Sequence, residues 1–144
     1  MNTKKILWIE DDYYNYKSLF RPIELKGVII DNALSAAEGF MKAKNWNEYS
    51  LIVADIILPL TKDSIVIDEE VKKWEREEDF LGIGLVKWLR NDIKAKCPIL
   101  ILSVIDDPIQ TYHLESLKIE NSISKKGLLP SVLAETIDSI LNID

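Results

Sequence analysis

The sequence has one cysteine, Cys97, so it cannot form a disulfide framework. It also has no apolar run near the roughly 20 residues that a membrane-spanning helix needs. The two lysines near the N-terminus are followed by a short apolar run that ends in acids, which is not the pattern of a signal peptide. These absences predict a protein of the reducing cytoplasm without a membrane span, with Cys97 as a small buried packing residue.

A surplus of positive charge is also missing, because 18 lysines and arginines face 24 acids and the net charge is −6. Proteins that bind nucleic acid through its phosphates need a basic stripe, and no such stripe is present. Direct nucleic-acid binding is therefore not expected. A chain of 144 residues with 47% hydrophobic side chains is long enough for one core, so we expect one domain spanning residues 1–144.

Short apolar runs alternate along the chain with segments of helical periodicity. The predicted strands lie at residues 6–9, 28–31, 51–54, 98–102 and 119–124. The predicted helices lie at residues 13–26, 33–44, 82–91, 107–117 and 131–141. This alternation is typical of an α/β fold, a doubly wound parallel sheet with helices on both faces. Pro22 predicts a kink or break near residues 19–22 of the first helix.

Residues 61–79, called the insert below, do not follow this alternation. They are rich in charge, and Ile67, Val71 and Trp74 fall on one helical face. The insert is therefore predicted to hold an extra helix. Trp74 has two interpretations at this point, a packing residue or a lid or partner contact outside the core.

Polar residues follow the predicted strands where each strand ends. Glu10 and Asp11 follow the first strand, Asp55 the third, Ser103 the fourth and Lys125 the fifth. The carboxyl ends of parallel strands share one sheet edge, where ligands bind. Three carboxylates suit Mg²⁺, while an ammonium and a hydroxyl suit phosphoryl oxygens. Asp55 is then a candidate nucleophile, although each residue taken singly could simply cap a turn or lie in a loop.

At these residues the chain resembles the receiver domain of two-component response regulators. The resemblance rests on four segments in order, ILWIEDD, LIVADIILP, PILILS and ISKKG, and it covers nearly the whole chain except the insert. It implies a flavodoxin-like fold of five parallel strands in the order 2-1-3-4-5, to which this chain adds a helical insert after strand 3.

The resemblance also implies roles for the residues at the strand ends. Asp55 would accept a phosphoryl group from a histidine of a sensor kinase or phosphotransfer protein. Ser103 would bond that group and Lys125 would pair with its charge. The implied Mg²⁺ ligands are Glu10, Asp11, Asp55 and the backbone carbonyl of Ile57.

This sequence departs from the family's pattern at several positions. The insert lengthens the connection between Asp55 and Ser103. Val104 replaces a very small residue, which predicts narrower access to the phosphate, and Ser122 replaces the aromatic that commonly moves on activation. Lys126 replaces a proline and is a minor rival to Lys125.

We expect a single-domain receiver that signals to a downstream protein by changing its docking surface and that turns over no separate substrate. The alternative is a phosphorylation-independent adaptor with a receiver fold. A Mg²⁺-dependent phosphatase is disfavoured, because Ile57 stands where such an enzyme commonly has a general acid. Apolar Ile57 and Ile105 also predict a long-lived phosphorylated state. His113, the only histidine, is interpreted as an ordinary surface or packing residue.

Overall fold

The computed structural model describes residues 3–62, 66–119 and 121–142 of the chain. Its five strands are β1 (Lys5–Ile9), β2 (Ile29–Ala33), β3 (Leu51–Ala54), β4 (Ile99–Ser103) and β5 (Asn121–Ser124). They form one sheet in the order β2-β1-β3-β4-β5, and every pair is parallel. The predicted fold class and strand order are therefore confirmed.

The three central strands are almost wholly buried, whereas β2 and β5 at the edges are more exposed and more polar. A strand covered by helices on both faces needs apolar side chains in both directions. This explains why β1, β3 and β4 read as unbroken apolar runs in the sequence.

The helices cover both faces of the sheet. They are α1 (Lys17–Glu24), α2 (Ala36–Ala43), α3 (Glu69–Glu77), α4 (Leu81–Lys87), α5 (Pro108–Thr111) and α6 (Pro130–Leu141). Helices α1 and α6 pack together over one face, and α2, α3 and α4 pack over the other. Among the described residues, no helix combines the length and the apolar character needed to cross a membrane.

The first helix differs from its prediction at residues 13–26. A 3₁₀ turn occupies Tyr13–Tyr16, α1 begins at Lys17, and Pro22 lies inside α1 without ending it. The break therefore falls before Lys17 and not at residues 19–22. Tyr13 is buried and stacks on Phe20 with 4.4 Å between ring centroids. This packing stabilises the 3₁₀ turn in front of α1.

The second strand and helix are also shifted from their predicted bounds. Strand β2 continues to Ala33, and α2 begins only at Ala36, because the Ser35 hydroxyl accepts the Glu38 N–H at 3.1 Å and caps the helix. Met41 of α2 is exposed, whereas Phe40 beside it is buried.

The helix predicted at residues 107–117 is not continuous. It ends at Thr111, His113 has a left-handed φ of 56°, and a 3₁₀ turn follows at Glu115–Leu117. Leu114 and Leu117 are buried, and turning the chain at His113 lets both reach the core. His113 itself is exposed, as an ordinary surface histidine would be.

The insert contains the predicted extra helix, α3, while its residues 63–65 lie outside the described part. Trp74 is buried between α2 and α4, with ring centroids 5.6 Å from Phe40 and 6.1 Å from Trp88. A Cβ on Gly84 would lie 2.4 Å from Trp74 Cγ, so this glycine makes room for the indole. Trp74 is a core residue, and its interpretation as a lid or partner contact is wrong.

Candidate functional site

The site begins where β1 and β3 end side by side. Ile9 pairs with Ala54, so Glu10 and Asp55 are the next residues on neighbouring strands. The Asp55 N–H donates to the Ile9 carbonyl at 3.0 Å, and the Glu10 N–H donates to the Ala33 carbonyl at 2.9 Å. Both acids are nearly inaccessible, with 1% of Glu10 and 5% of Asp55 exposed. The sheet therefore places two carboxylates together in a region that is otherwise apolar.

Lys125, the residue after edge strand β5, also contacts these acids. Its backbone N–H donates to the Ser103 carbonyl at 2.9 Å, which continues the pairing of β4 with β5. Its Nζ donates to Glu10 Oε1 and, at 2.6 Å, to Asp55 Oδ2. Only 8% of the Lys125 side chain is exposed, so these contacts are shielded from solvent.

Two carboxylates, those of Glu10 and Asp55, share one ammonium in this buried cluster. Burial and the neighbouring Asp55 raise the pKa of Glu10 to about 8, even though Lys125 acts in the opposite direction. Burial works against the charged form of Lys125, but its contacts with Asp55 and Glu10 outweigh burial and raise the pKa of the lysine. Lys125 alone therefore does not keep Glu10 in its charged form, and a metal cation at the site would favour the ionised carboxylate.

The donor atoms present suit Mg²⁺. Glu10, Asp11 and Asp55 can offer three oxygen ligands that all lie within 4.8 Å of one another. Glu10 Oε2 is buried and has no hydrogen-bond partner among the described residues. Mg²⁺ prefers carboxylate oxygens and keeps several waters, and this arrangement provides a few acids beside an open cleft. Lys62, from the start of the insert, lies 3.9 Å from Asp11 Oδ2 and partly offsets its charge.

An open cleft of about 450 Å³ gives access to these groups. It is lined by Asp11, Asp12, Asp55, Ile57, Leu58, Pro59, Val104 and Lys125. The Ile57 N–H donates to Asp55 Oδ1 at 3.0 Å, which ties the following loop to the acid. The small exposed part of Asp55 therefore borders this cleft, together with Ile57 and Val104.

Ser103 does not line the cleft, although its carbonyl accepts the Lys125 backbone N–H. Ser103 is fully buried at the end of β4, and its Oγ accepts the Ile105 N–H at 3.0 Å, whereas Val104 faces the cleft. Lys126 is exposed, with its Nζ 3.4 Å from Asp106 Oδ1. The geometry therefore favours Lys125 over Lys126 as the lysine of the site.

Two residues of the site were missed by sequence reasoning. Gly82, at the start of α4, donates its N–H to the Ile56 carbonyl at 2.9 Å, and a Cβ there would lie 2.3 Å from the Asp55 carbonyl oxygen. A glycine in the first turn of a predicted helix was the available signal. The other is Tyr16, whose ring centroid lies 4.9 Å from Lys125 Nζ, a contact between residues too far apart in the chain for a local pattern to indicate.

No family model and no curated protein matches this sequence. Solved structures do match it along nearly their whole length. A CheY-like response regulator receiver domain protein from Methanospirillum hungatei is 20% identical, with a TM-score of 0.72 over 98% of this chain and 95% of that one. A two-component response regulator from Clostridium difficile is 26% identical, with a TM-score of 0.70 over 97% of each chain.

The chemotaxis response regulator CheY4 of Vibrio cholerae is 18% identical, with a TM-score of 0.69 over 97% of this chain and 100% of that one. The agreement includes the all-parallel sheet and its strand order. The similarity of the structures thus confirms the resemblance seen in the sequence, and this chain has the fold of the response regulator receiver domains.

Proposed function

We propose that this chain is a response regulator receiver that accepts a phosphoryl group on Asp55 from a histidine of a sensor kinase or phosphotransfer protein. One observation carries the proposal. The Asp55 carboxylate lines an open cleft, with Lys125 bound to one of its oxygens and the acids Glu10 and Asp11 beside it. This combination provides a nucleophile, a cation for the phosphoryl charge and ligands for a metal.

In the proposed transfer, an Asp55 oxygen forms a bond to phosphorus while the bond from phosphorus to the donor imidazole nitrogen breaks. The electron pair of the broken bond stays on that nitrogen. Lys125 exchanges its contacts with the acids for the phosphoryl oxygens, and the Ser103 hydroxyl turns from the Ile105 amide to donate to one of them. Glu10, Asp11, Asp55 and the Ile57 carbonyl would hold Mg²⁺, which when bound neutralises phosphoryl charge.

Phosphorylation at Asp55 would change the surface around the cleft. A phosphoryl group adds nearly two negative charges there, and the surrounding loops rearrange to accommodate them. We infer that the changed surface binds a downstream protein, without direct contact to nucleic acid. We expect no turnover of a separate substrate, and we place the protein in the cytoplasm because its single cysteine is buried and unpaired.

The test is incubation with acetyl phosphate and Mg²⁺, followed by intact mass measurement. The wild type should gain one phosphoryl group and Asp55→Asn should gain none. Asp106→Asn is the matched control, because Asp106 is an exposed acid that pairs with Lys126 and does not line the cleft. Beryllofluoride should also change the fluorescence of Trp8, which lies on β1 two residues before Glu10. A wild type without mass gain or spectral change would refute the proposal.

A phosphorylation-independent adaptor is a second candidate, favoured by one observation. Helix α3 is held in the core by Val71 and Trp74, while its exposed positions are mostly charged. It therefore presents a fixed polar surface that the transfer chemistry does not use. Equal affinity for a protein partner with and without beryllofluoride would favour the adaptor, and a changed affinity would favour the receiver.

A further inference from the structure

The Lys125 ammonium has a third neighbour besides Glu10 and Asp55. The ring of Tyr16 lies with its centroid 4.9 Å from Lys125 Nζ. This is within the distance at which a cation is attracted to the negative face of an aromatic ring. Because the Lys125 side chain is almost completely buried, water screens this attraction much less than it would at the surface.

The position of Tyr16 is built into the fold. Tyr16 is the last residue of the 3₁₀ turn Tyr13–Tyr16, which leads from the acids after β1 into α1. Tyr13 anchors that turn by stacking on Phe20, and Tyr16 packs against the same core cluster between the sheet and helices α1 and α6. Tyr16 is half-buried as a result, and it does not line the open cleft. The ring therefore contacts Lys125 outside the cleft, and it does not obstruct the approach to Asp55.

We propose that Tyr16 is a positioning residue that acts through Lys125. The inference rests on the proposed function, in which the ammonium must exchange carboxylate partners for phosphoryl oxygens. A ring face attracts the ammonium without forming a directed hydrogen bond, so it stays a partner while the N–H groups are redirected. Tyr16 thereby holds Lys125 Nζ beside Asp55 throughout the exchange and raises the rate at which Asp55 accepts the phosphoryl group.

The test compares two substitutions at Tyr16 with one at a neighbouring tyrosine. Tyr16→Leu keeps apolar bulk and removes the ring, whereas Tyr16→Phe keeps the ring and removes the hydroxyl. Tyr14→Leu is the matched control, because Lys17 Nζ lies 5.1 Å from the Tyr14 ring centroid in the same turn, and Tyr14 is 65% exposed. Each variant is examined by NMR of the Lys125 ε-methylene group and by its phosphorylation rate with acetyl phosphate and Mg²⁺.

We expect the wild-type ε-methylene signals to be shifted upfield by the ring and to lose this shift in Tyr16→Leu. Phosphorylation of Tyr16→Leu should be slower by about 3- to 10-fold, the range that corresponds to one partly desolvated cation–π contact. Tyr16→Phe should retain the shift and stay within about 2-fold of the wild-type rate, since its ring face is kept. Tyr14→Leu should match the wild type in both measurements.

If Tyr16→Leu does not fold, phenylalanines of increasing fluorination at position 16 replace it. Fluorine weakens the negative ring face at nearly constant size, so the rate should fall steadily along the series. A rate independent of fluorination overturns the proposal, as does an unchanged rate in a folded Tyr16→Leu. If Tyr16→Phe is as slow as Tyr16→Leu, the hydroxyl is responsible and the proposal is also overturned. A wild type that never becomes phosphorylated refutes the proposed function instead, and the NMR comparison shows separately whether Tyr16 orients Lys125.

Discussion

Among single residues, Ile57 bears most directly on how long a phosphoryl group would persist on Asp55. Ile57 is partly exposed and borders the cleft, and its side chain offers no polar atom to an approaching water. Ile105, the other apolar residue expected to flank the site, packs against the core instead and does not line the cleft, whereas apolar Val104 does. Hydrolysis of an aspartyl phosphate requires an oriented water, so these residues favour a long-lived phosphorylated state.

Substituting Ile57→Asn should shorten the lifetime of the phosphorylated protein. An amide at this position can orient water toward the phosphorus, and we expect hydrolysis to accelerate by about 10-fold or more. The lifetime is measured by intact mass after removal of acetyl phosphate. Ile57→Val is the control, because it keeps an apolar rim and should leave the lifetime nearly unchanged. Equal lifetimes for wild type and Ile57→Asn would show that the apolar side chain at position 57 does not limit the rate of hydrolysis.

Gly82 is important for a different reason, because it allows α4 to approach the backbone that follows Asp55. A methyl group there would lie 2.3 Å from the Asp55 carbonyl oxygen and 2.5 Å from Ile56 Cα. Both are backbone atoms that cannot rotate away. The loop that carries Asp55 and Ile57 would have to move.

We therefore expect Gly82→Ala to lower the free energy of unfolding by about 1–3 kcal/mol, as is typical of overpacking, and to weaken Mg²⁺ binding. Urea unfolding and Mg²⁺ titration measure the two effects. Gly39→Ala serves as the comparison, since the three atoms nearest to its methyl, the closest at 2.9 Å, all belong to the side chain of Ile9 and not to backbone. A Gly82→Ala variant as stable as the wild type would contradict the close approach.

At the level of elements, the insert adds a helix to the α2 and α4 face of the sheet. Its attachment depends on Trp74, which contacts Phe40 and Trp88 and lies directly against Gly84. Trp74 Nε1 donates to Glu70 Oε2 at 2.8 Å, so the polar end of the indole is satisfied within α3. The helix is thus an integral layer of the fold.

Trp74→Ala should lower the free energy of unfolding by about 3–5 kcal/mol, the range for removing a buried tryptophan. Trp74→Phe should recover part of this loss because it refills part of the space. Both are measured by urea unfolding followed by circular dichroism. A loss below about 1 kcal/mol would instead be the behaviour of a surface residue.

Strand β2, helix α2 and the loop before β3 are joined by Asp31. Its carboxylate accepts from Lys42 Nζ and from the Tyr49 hydroxyl, each at 2.7 Å. Partial burial acts to raise the pKa of Asp31, but the contacts with Lys42 and Tyr49 outweigh burial and lower the pKa below its usual value.

A lowered carboxyl pKa makes the protein more stable at pH values above the ordinary aspartate pKa, and this contribution disappears as the pH falls through the lowered value. Asp31→Asn should therefore destabilise the protein by about 1 kcal/mol at neutral pH, and the difference should shrink toward pH 3. Thermal unfolding between pH 3 and pH 8 tests this. A destabilisation by Asp31→Asn that stays the same from pH 3 to pH 8 would contradict this role of the carboxylate.

For the whole molecule, which has a net charge of −6, three acids meet at one sheet edge and Lys125 contacts only two of them. The acids come from β1 and β3, and the lysine comes from β5. Folding is what brings them together, so a cation bound by the folded cluster stabilises the fold as a whole.

Mg²⁺ should accordingly raise the midpoint of thermal unfolding. At a concentration about 100 times the dissociation constant, the gain in free energy of unfolding is about 2.7 kcal/mol. Glu10→Gln and Asp11→Asn should lose most of this gain, whereas Asp106→Asn should retain it. If Mg²⁺ stabilises all of these variants equally, the cluster is not the binding site.

Much of this fold could be predicted from local patterns. The central strands are apolar on both faces, and their runs mark β1, β3 and β4 clearly. Boundaries were less predictable where a tertiary contact outweighed local periodicity, as at Tyr13 with Phe20 and at His113 before Leu114. The helix of the insert was predictable from its apolar spacing, but its partners were not.

The sequence by itself determined the alternation of strands and helices and the polar residue at the end of each strand, because both depend on neighbours along the chain. Only the tertiary structure decided that Lys125 binds Glu10 and Asp55 and that its ammonium lies over the ring of Tyr16. The position of Trp74 in the core was decided in the same way, by a glycine on another helix. These contacts join residues far apart in the chain, and their geometry depends on how packed helices and paired strands bring separate segments to one place.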